Sequence, residues 1–297
     1  MNYAPIVLFA FNRLDSLMKC VESLKTNEEA QYTDMIVYVD GARPEKPGED
    51  LTVALIQDYV ANISGFRSLQ YVFSEQHKGL ALSIIDGVTQ IINQFGSAIV
   101  VEDDLIVSKN FLAYMNQGLE KYEHERRVFS ICGYSNKVVR PEGFAYDAYF
   151  CTRSSSWGWG TWKDRWNSVD WELNDWHIHK QNARQFNKWG GSDCWKLLND
   201  WHEGRKSSWA IRFSYAQFLL DGLSLFPIIS KVENNGFDGR GTNSGKWTRF
   251  KCVYDESSNK EFIFPVKCEL NTYLYKQSLS YHSILIRIWS RLMYLVK

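Results

Sequence analysis

Three carboxylates in a row, Glu102, Asp103 and Asp104, follow the short apolar run 98–101. That run has the length of one strand and is apolar at every position, which is typical of a central parallel strand buried on both faces. Adjacent carboxylates at the end of such a strand repel one another, so we expect a positive group to neutralise them. In an open α/β sheet, ligands bind outside the carboxyl ends of the strands. Asp104 and Asp103 are therefore predicted ligands of Mn²⁺ or Mg²⁺ together with a substrate phosphate, and an acidic turn before a solvated helix is the alternative.

The segments before the carboxylates alternate between strand-like and helix-like patterns. Strand-sized apolar runs cover 5–11, 35–39 and 69–73, and apolar residues recur at helical spacing over 13–26, 51–63 and 80–92. Together with the acidic strand these repeats predict a Rossmann-like, mostly parallel sheet flanked by helices, with right-handed crossovers. Neither a G-x-G-x-x-G after the first strand nor a G-x-x-x-x-G-K-[ST] occurs in the sequence. Because neither glycine-rich phosphate loop is present, we expect a bound metal ion to bind the phosphate.

Tryptophan divides the chain into unlike halves. All twelve tryptophans lie at or beyond Trp157, and the segment 154–166 is the densest aromatic stretch. We expect a nucleotide-binding half at 1–132, an acceptor-binding half of the same domain at 133–270, and a tail at 271–297. Sugar rings stack on aromatic faces, so Trp157, Trp159 and Trp162, separated by small residues in a loop-like context, are predicted acceptor contacts. Core packing is the expected role of most of the other tryptophans.

The bulk composition excludes several classes of protein. Lys plus Arg equals Asp plus Glu, 34 against 34 in 297 residues, which argues against a general nucleic-acid binder. The six cysteines form no C-x-x-C and are expected to be reduced thiols, as in a cytoplasmic protein. The amino terminus carries no basic region or cleavage signal, and its first apolar run is far shorter than the ~20 residues of a membrane span.

The tail ends in a predicted amphipathic helix. Residues 281–297 include Arg287, Arg291 and Lys297 but no acidic residue, and apolar side chains occupy most of the helix surface. Such a helix can lie on the inner face of an anionic membrane as a peripheral anchor. The alternative is a last helix that packs on the domain or on a partner chain.

A metal at Asp103 and Asp104 is suited to a diphosphate substrate. For a two-part α/β protein rich in tryptophan, the natural diphosphate is a nucleotide sugar. The metal would act as a Lewis acid on the leaving nucleoside diphosphate. A carboxylate of the second half would deprotonate the acceptor hydroxyl as a general base.

Several segments in this order resemble the GT-A fold glycosyltransferases. They are 5–13 (PIVLFAFNR), Asp40-Gly41, 78–80 (KGL) and 101–104 (VEDD). The resemblance is closest to the N-acetylglucosaminyltransferase I-like group and its bacterial relatives in surface-polysaccharide assembly. The segments 156–162 (SWGWGTW) and 235–242 (NGFDGRGT) look like signatures of the bacterial members. The resemblance covers roughly residues 4–245, and several ordered motifs are more specific than one acidic triplet.

The resemblance implies roles for individual residues. It makes 102–104 a variant D-x-D motif with Asp104 as the direct metal ligand. It also implies inverting transfer from a UDP-sugar, commonly UDP-N-acetylglucosamine, to a saccharide or lipid-linked saccharide. The residues implied to bind the nucleotide sugar are Phe11, Asn12, Arg13, Asp40, Lys78, Gly79, Glu102 and Asp103.

One departure from the family concerns the catalytic base. The eukaryotic enzymes carry their presumed base in a Trp-Asp-Asp-Trp segment, and the corresponding stretch here is 209–213 (WAIRF), with Ala210 where the acid is expected. Asp238 and Asp221 are therefore candidate bases. Arg212 is a further candidate catalytic residue, and Trp209 a candidate acceptor contact.

Two other functions remain open on the sequence. A sugar-1-phosphate nucleotidyltransferase has a similar sheet, but it would need a glycine-rich basic loop after the first strand, which 12–15 (NRLD) does not provide. A saccharide-binding protein that kept the fold without the chemistry is the second alternative, and the alanine at position 210 keeps it open.

Overall fold

The computed structural model describes residues 3–236 and 249–296. Within these ranges ten strands occur in chain order: β1 (Ile6–Ala10), β2 (Asp34–Val39), β3 (Ser68–Phe73), β4 (Ser97–Glu102), β5 (Leu105–Val107), β6 (Val128–Cys132), β7 (Ala148–Cys151), β8 (Trp159–Trp162), β9 (Leu223–Pro227) and β10 (Val232–Asn234). Eight of them form one sheet in the order β3-β2-β1-β4-β8-β6-β9-β7. The short strands β5 and β10 form a separate antiparallel pair.

Six strands of the large sheet run in the same direction. β1 pairs in parallel with both β2 and β4, β2 with β3, and β6 with β9, whereas β8 and β7 are antiparallel to their neighbours. This mostly parallel sheet flanked by helices confirms the predicted α/β fold class, the arrangement expected of a GT-A protein. The carboxyl ends of β1, β2 and β4 meet at one edge, where the acidic triplet begins.

Helices cover both faces of the sheet. The described helices are α1 (Leu14–Lys25), α2 (Glu49–Ala61), α3 (Leu80–Phe95), α4 (Phe111–Lys121), α5 (Lys163–Trp166), α6 (Trp176–His179), α7 (Ala183–Gly190), α8 (Cys194–His202), α9 (Ala210–Leu219), α10 (Thr272–Ser280) and α11 (Ile284–Val296), with 3-10 turns at Glu28–Tyr32 and Lys180–Asn182. Alternate residues of β4 face opposite sides: Ile99 and Val101 pack in the core that holds α1, α2 and α4, and Val100 packs in the core that holds α3. Burial of both faces explains why β4 is apolar at every position before its acidic end.

β8 is the main departure from the expected architecture. The segment 159–162 was expected in a loop, but it forms an antiparallel strand between β4 and β6, in the middle of the sheet. Gly160 permits this close packing, because a Cβ at this position would lie 3.0 Å from the Ala98 carbonyl oxygen. The single sheet also joins the proposed halves 1–132 and 133–270, since β6 belongs to the first and β7, β8 and β9 to the second.

The tail forms the predicted helix, α11, with its apolar residues facing outward. Ile284, Leu285, Ile288 and Leu292 are each more than half exposed, and Leu285 reaches 80 %. Arg287 instead turns toward the domain, where Nη1 donates to Ser192 Oγ at 3.0 Å. None of the helices in the described ranges combines the length and the apolar character that crossing a membrane requires. All six cysteines are free thiols, as expected.

Candidate functional site

The acidic triplet is fixed by hydrogen bonds to the end of β1. Glu102 is the last residue of β4 and pairs with Phe9, and the Asp103 backbone N–H donates to the Phe9 carbonyl at 3.0 Å. The Phe11 N–H in turn donates to Asp103 Oδ2 at 3.2 Å. The parallel pairing of β1 and β4 thus brings the segment after β1 directly against the carboxylates.

Arg13 is the nearest counter-charge of the triplet. Its Nη2 lies 3.3 Å from Asp103 Oδ1 and 3.1 Å from Asp104 Oδ2, so one guanidinium bridges two carboxylates. Burial raises the pKa of Asp103 to about 7 despite the charge of Arg13 beside it. Burial, with the charges of Asp104 and Asp103, raises the pKa of Glu102 well above its ordinary value. Both shifts show that Arg13 alone does not stabilise the ionised triplet fully, and a cation bound at this edge would favour its charged form.

Asp104 has one carboxylate oxygen that the described residues leave without a hydrogen bond. Oδ2 accepts from Arg13, but Oδ1 is buried and meets no hydrogen-bond donor within 3–236 and 249–296. The Asp104 main chain is anchored separately, because the Asn235 N–H donates to its carbonyl at 2.8 Å. A buried carboxylate oxygen without a donor is costly unless a ligand satisfies it. This oxygen is the strongest sign of a ligand site at the triplet.

The Asp40-Gly41 pair joins two loops at the same edge of the sheet. Asp40 Oδ1 accepts from the N–H groups of Gly41 (3.0 Å) and Lys78 (2.8 Å), and Oδ2 accepts from the Gly79 N–H (2.9 Å) and lies 2.8 Å from His77 Nδ1. A Cβ on Gly41 would lie 2.5 Å from the Gln76 carbonyl carbon, so the close approach of the loops requires glycine. The Asp40 carboxylate therefore holds the 77–79 loop, and with it the start of α3, in position.

Two residues that the sequence analysis did not select, Arg43 and Glu49, complete this edge. The Arg43 N–H and Nε each donate to Glu49 Oε2 at 2.9 Å, and Asn12 Nδ2 donates to Oε1 at 2.8 Å. Asn12 thus belongs to this network, and Arg13 occupies the N-cap position of α1. The Arg43 guanidinium lies 5.2 Å from the centre of the Phe11 ring, and the His77 ring packs on the same phenyl at 4.8 Å. Only the loop position of Arg43, after β2, hinted at this role.

Lys78 is the one predicted donor-binding residue whose side chain points to another partner. Its Nζ lies 3.5 Å from Asp86 Oδ2 on α3, and both side chains are about half exposed, 49 % and 60 %. Its backbone N–H, by contrast, belongs to the Asp40 network. The structure thus brings Phe11, Asn12, Arg13, Asp40, Gly79 and the triplet together and leaves the Lys78 ammonium on the surface.

Three of the four predicted acceptor tryptophans are core residues, which corrects the expectation. Trp159 is 1 % exposed and stacks on Trp209 at a ring separation of 4.7 Å. Trp209 is itself 4 % exposed. Trp162 is equally buried and donates from Nε1 to the Leu119 carbonyl at 3.1 Å. Indole groups enclosed in this way lack the open face on which a sugar stacks.

Trp157 is the exception among the four predicted acceptor tryptophans. It is partly exposed, makes edge contacts with Tyr134 at 4.5 Å and Phe250 at 5.8 Å, and lines a cavity of about 220 Å³. Gly158 lies against Val232 of β10, and β10 leads to Asn235, which binds the Asp104 carbonyl. This chain of contacts places Trp157 on the same side of the sheet as the triplet.

Two of the candidate catalytic residues of the second half, Arg212 and Asp221, lie away from the triplet. Arg212 is buried, donates to the Ser208 and Trp171 carbonyls, and lies over the Trp201 ring at 4.7 Å, so it holds the α8–α9 region together. Asp221 is 84 % exposed, pairs with Arg127 at 3.1 Å and precedes β9. Because β9 runs in the same direction as β4, Asp221 lies at the opposite edge of the sheet. Asp238 falls outside the described residues.

Comparisons with known proteins give only distant matches. No family model matches the sequence, and no curated protein matches it. Among solved structures, the mannosyltransferase PcManGT from Pyrobaculum calidifontis, in complex with GDP-Man and Mn²⁺, is 11% identical over 55% of this chain and 46% of its own, with a TM-score of 0.33. TarS of S. aureus is 12% identical over 76% of this chain and 35% of its own, with a TM-score of 0.42. The chain therefore spans less than half the length of either.

A UDP-glucose pyrophosphorylase complexed with UDP-glucose is a third similar structure. It is 12% identical over 75% of this chain and 90% of its own, with a TM-score of 0.35. Similarities this distant do not select between the functions that the sequence left open. The choice between these functions therefore depends on the contacts of the described residues.

Proposed function

We propose that this chain is a metal-dependent glycosyltransferase of the GT-A type that transfers a sugar from a nucleotide diphosphate sugar. The observation that carries the proposal is the buried Oδ1 of Asp104, which meets no donor among the described residues at the ligand-binding edge of the sheet. Burial raises the pKa values of Asp103 and Glu102 despite the charge of Arg13, so their ionised forms need a further positive charge beside them. A divalent cation together with a diphosphate meets both requirements.

The donor set fits Mn²⁺ or Mg²⁺ completed by substrate. The described residues contain no cluster of three His, Cys, Asp or Glu side chains that could hold a metal on its own. Mg²⁺ in phosphate-transfer sites commonly takes one or two carboxylates and completes its shell with water and phosphate oxygens. Asp104 and Asp103 would hold such an ion. When bound, it would supply Lewis-acid stabilisation of the departing nucleoside diphosphate.

The surrounding residues are suited to the rest of the donor. Phe11, Arg43 and His77 pack together, and a nucleobase would stack against this cluster. Asp40 fixes Gly79 at the start of α3, and the amino terminus of a sixteen-residue helix favours negative phosphate. Arg13, already beside two carboxylates, contributes positive charge next to the phosphates. A UDP-sugar, with UDP-N-acetylglucosamine as the first choice, follows from the family resemblance.

Fewer contacts support the proposed acceptor site and the proposed catalytic base. Trp157 offers an aromatic surface for a saccharide or lipid-linked saccharide. Ala210 opens α9 beside the cavity that Trp157 lines, so the expected acid is absent at that place. Asp238 stays the candidate base for an inverting transfer. A hexosyl or N-acetylhexosaminyl group is the proposed cargo, in the assembly of a surface glycan.

Release of nucleoside diphosphate from a panel of nucleotide sugars tests the proposal. Wild type with Mn²⁺ should hydrolyse one donor slowly, and EDTA or Asp104→Asn should abolish that release. Asp58→Asn, an exposed aspartate on α2, is the matched control and should keep it. Donor binding without turnover, even with a supplied saccharide acceptor, would instead identify a binding protein. If no nucleotide sugar binds, the proposal fails.

We also propose that the protein is cytoplasmic and rests on the inner face of an anionic membrane through α11. The support is the outward apolar face of this helix and the lack of acidic residues in the sequence 281–297. In vesicle sedimentation, Leu285→Glu should reduce binding to vesicles rich in phosphatidylglycerol, whereas Leu51→Glu, at a 69 % exposed leucine of α2, should not. Equal binding of both variants, or dimerisation through α11 without vesicle binding, would contradict this proposal.

A further inference from the structure

The cavity beside Trp157 combines hydroxyl, aromatic and cationic walls. Its volume is about 220 Å³. Six serines contribute to the wall, namely Ser154, Ser155, Ser156, Ser208, Ser214 and Ser278. Phe226, Phe250 and Tyr134 form the aromatic part, and Arg153 and His282 supply the nitrogen donors. An apolar cavity with a few convergent polar groups is typical of a small-ligand site.

Positive charge exceeds negative charge around this cavity in the described part of the chain. Arg153 pairs with Asp193 at 2.7 Å. Arg249 and Arg287 lie close enough for their charges to act on the same pair and on His282. The charges of three arginines therefore act on one carboxylate, Asp193. Such an excess of positive charge at a partly buried position favours an anion.

Arg249 and Arg287 make few hydrogen bonds within the described residues, which leaves donors for a ligand. Arg249 Nε donates to the Tyr281 carbonyl at 3.0 Å, and Arg287 Nη1 donates to Ser192 Oγ at 3.0 Å. Ser192 also donates from its N–H and its hydroxyl to the His282 carbonyl, at 3.2 and 2.8 Å, and so fixes the backbone that carries the imidazole. A guanidinium offers five N–H donors in all.

His282 adds an independent sign of a missing ligand. Its Nδ1 is buried and meets no hydrogen-bond partner among residues 3–236 and 249–296. Burial, and next the charge of Arg153, lowers the pKa of His282 well below its ordinary value, so the ring is neutral at pH 7. A buried polar nitrogen without a partner beside an excess of positive charge points to an anion with hydrogen-bonding capacity.

We propose that this cavity, lined by Arg153 and His282 with Arg249 and Arg287 nearby, binds an oxyanion of the acceptor, either a phosphate or a sugar carboxylate. The assignment to the acceptor rests on the proposed function, because Trp157 and Ala210 connect the cavity with the edge of the sheet that would hold the donor. His282 precedes α11 and Arg287 lies on it, so the anionic group of a lipid-linked acceptor would enter next to the helix that we place on the membrane. The oxyanion site itself depends on none of the donor chemistry.

Calorimetric titration of the full chain with three probes tests the site. The probes are inorganic pyrophosphate, farnesyl diphosphate in detergent micelles, and glucuronate. Wild type should bind at least one of them saturably, and Arg249→Gln and His282→Gln should each weaken that binding about tenfold or more, the loss of one charge-assisted hydrogen bond. Arg126→Gln, an exposed arginine remote from the cavity in sequence, is the matched control and should bind as wild type does. Tighter binding of a diphosphate than of glucuronate would assign the phosphate source, and the reverse order the carboxylate.

The controls separate this site from the donor site. Asp104→Asn should leave probe binding intact, and Arg249→Gln should leave binding of the nucleotide sugar intact. If nucleotide sugars fail to bind while the probes bind in an Arg249-dependent way, the proposed function falls and the oxyanion site stands. Absence of probe binding to the wild type, or equal binding by Arg249→Gln, His282→Gln and Arg126→Gln, would overturn the inference.

Discussion

Asp40→Asn removes the charge that joins the loop after β2 to the loop before α3. The carboxylate accepts three backbone N–H groups, those of Gly41, Lys78 and Gly79, at 2.8–3.0 Å. An asparagine has one acceptor oxygen, so it can serve either the Gly41 and Lys78 side or the Gly79 side. On the other side its amide donors would face a backbone N–H.

The size of the effect follows from these contacts. A hydrogen bond to a charged group contributes about 1.5–3 kcal/mol, and a buried donor left without a partner costs about 1–3 kcal/mol. Asp40 is only 7 % exposed, so water replaces the lost bond poorly. We therefore expect Asp40→Asn to lower the free energy of unfolding by about 3 kcal/mol. Because Gly79 starts α3, binding of the nucleotide sugar should weaken as well.

Urea unfolding followed by circular dichroism measures the first effect, with the shift of the midpoint read at constant m-value. Asp58→Asn, on the exposed side of α2, should stay within about 0.5 kcal/mol of wild type. A loss below about 1 kcal/mol in Asp40→Asn would show that the carboxylate does not hold the 77–79 loop. The assignment of Asp40 as a positioning residue would then be wrong.

Three further outcomes are expected. The hydrogen bonds from Arg43 lower the pKa of Glu49 to about 2, so its contribution to stability is present above about pH 4.5 and is lost as the pH falls through about 2. Acid unfolding of Glu49→Gln should lack this loss of stability. An acid transition identical to that of the wild type would refute the stabilising role of Glu49. Trp159→Ala should lower the free energy of unfolding by about 3–5 kcal/mol, because the indole is buried in the core. A stable variant with only a raised KM for the acceptor would show instead that Trp159 contacts the acceptor. With Mn²⁺ present, UDP at a hundred times its dissociation constant should stabilise the wild type by about 2.7 kcal/mol in thermal unfolding. Asp104→Asn should show no such stabilisation. Equal stabilisation of both proteins would mean that the metal binds elsewhere.

The sequence alone determined the first half of the fold and the position of the acidic edge. The apolar run 98–101 predicts a strand buried on both faces, and parallel strands put their carboxyl ends on one edge. Helix periodicity located α1, α2 and α3 for the same reason, since local spacing decides which side chains share a face. The triplet could therefore be placed at the end of a central strand before any contact was known.

Only the tertiary structure decided the role of the tryptophan segment and of the polar networks. A run such as 157–162 has the composition of a binding loop, and its insertion between β4 and β6 depends on segments distant in the sequence. Other contacts join residues from separate elements in the same way. Arg43 and Asn12 donate hydrogen bonds to Glu49, and Arg153, Arg249 and Arg287 lie around Asp193. Local patterns carry no record of such pairings, because burial and electrostatic energy depend on which distant groups share a space. The apolar face of α11 is a further example. The spacing of its apolar residues predicts this face, but only the tertiary structure shows that no described residue covers it.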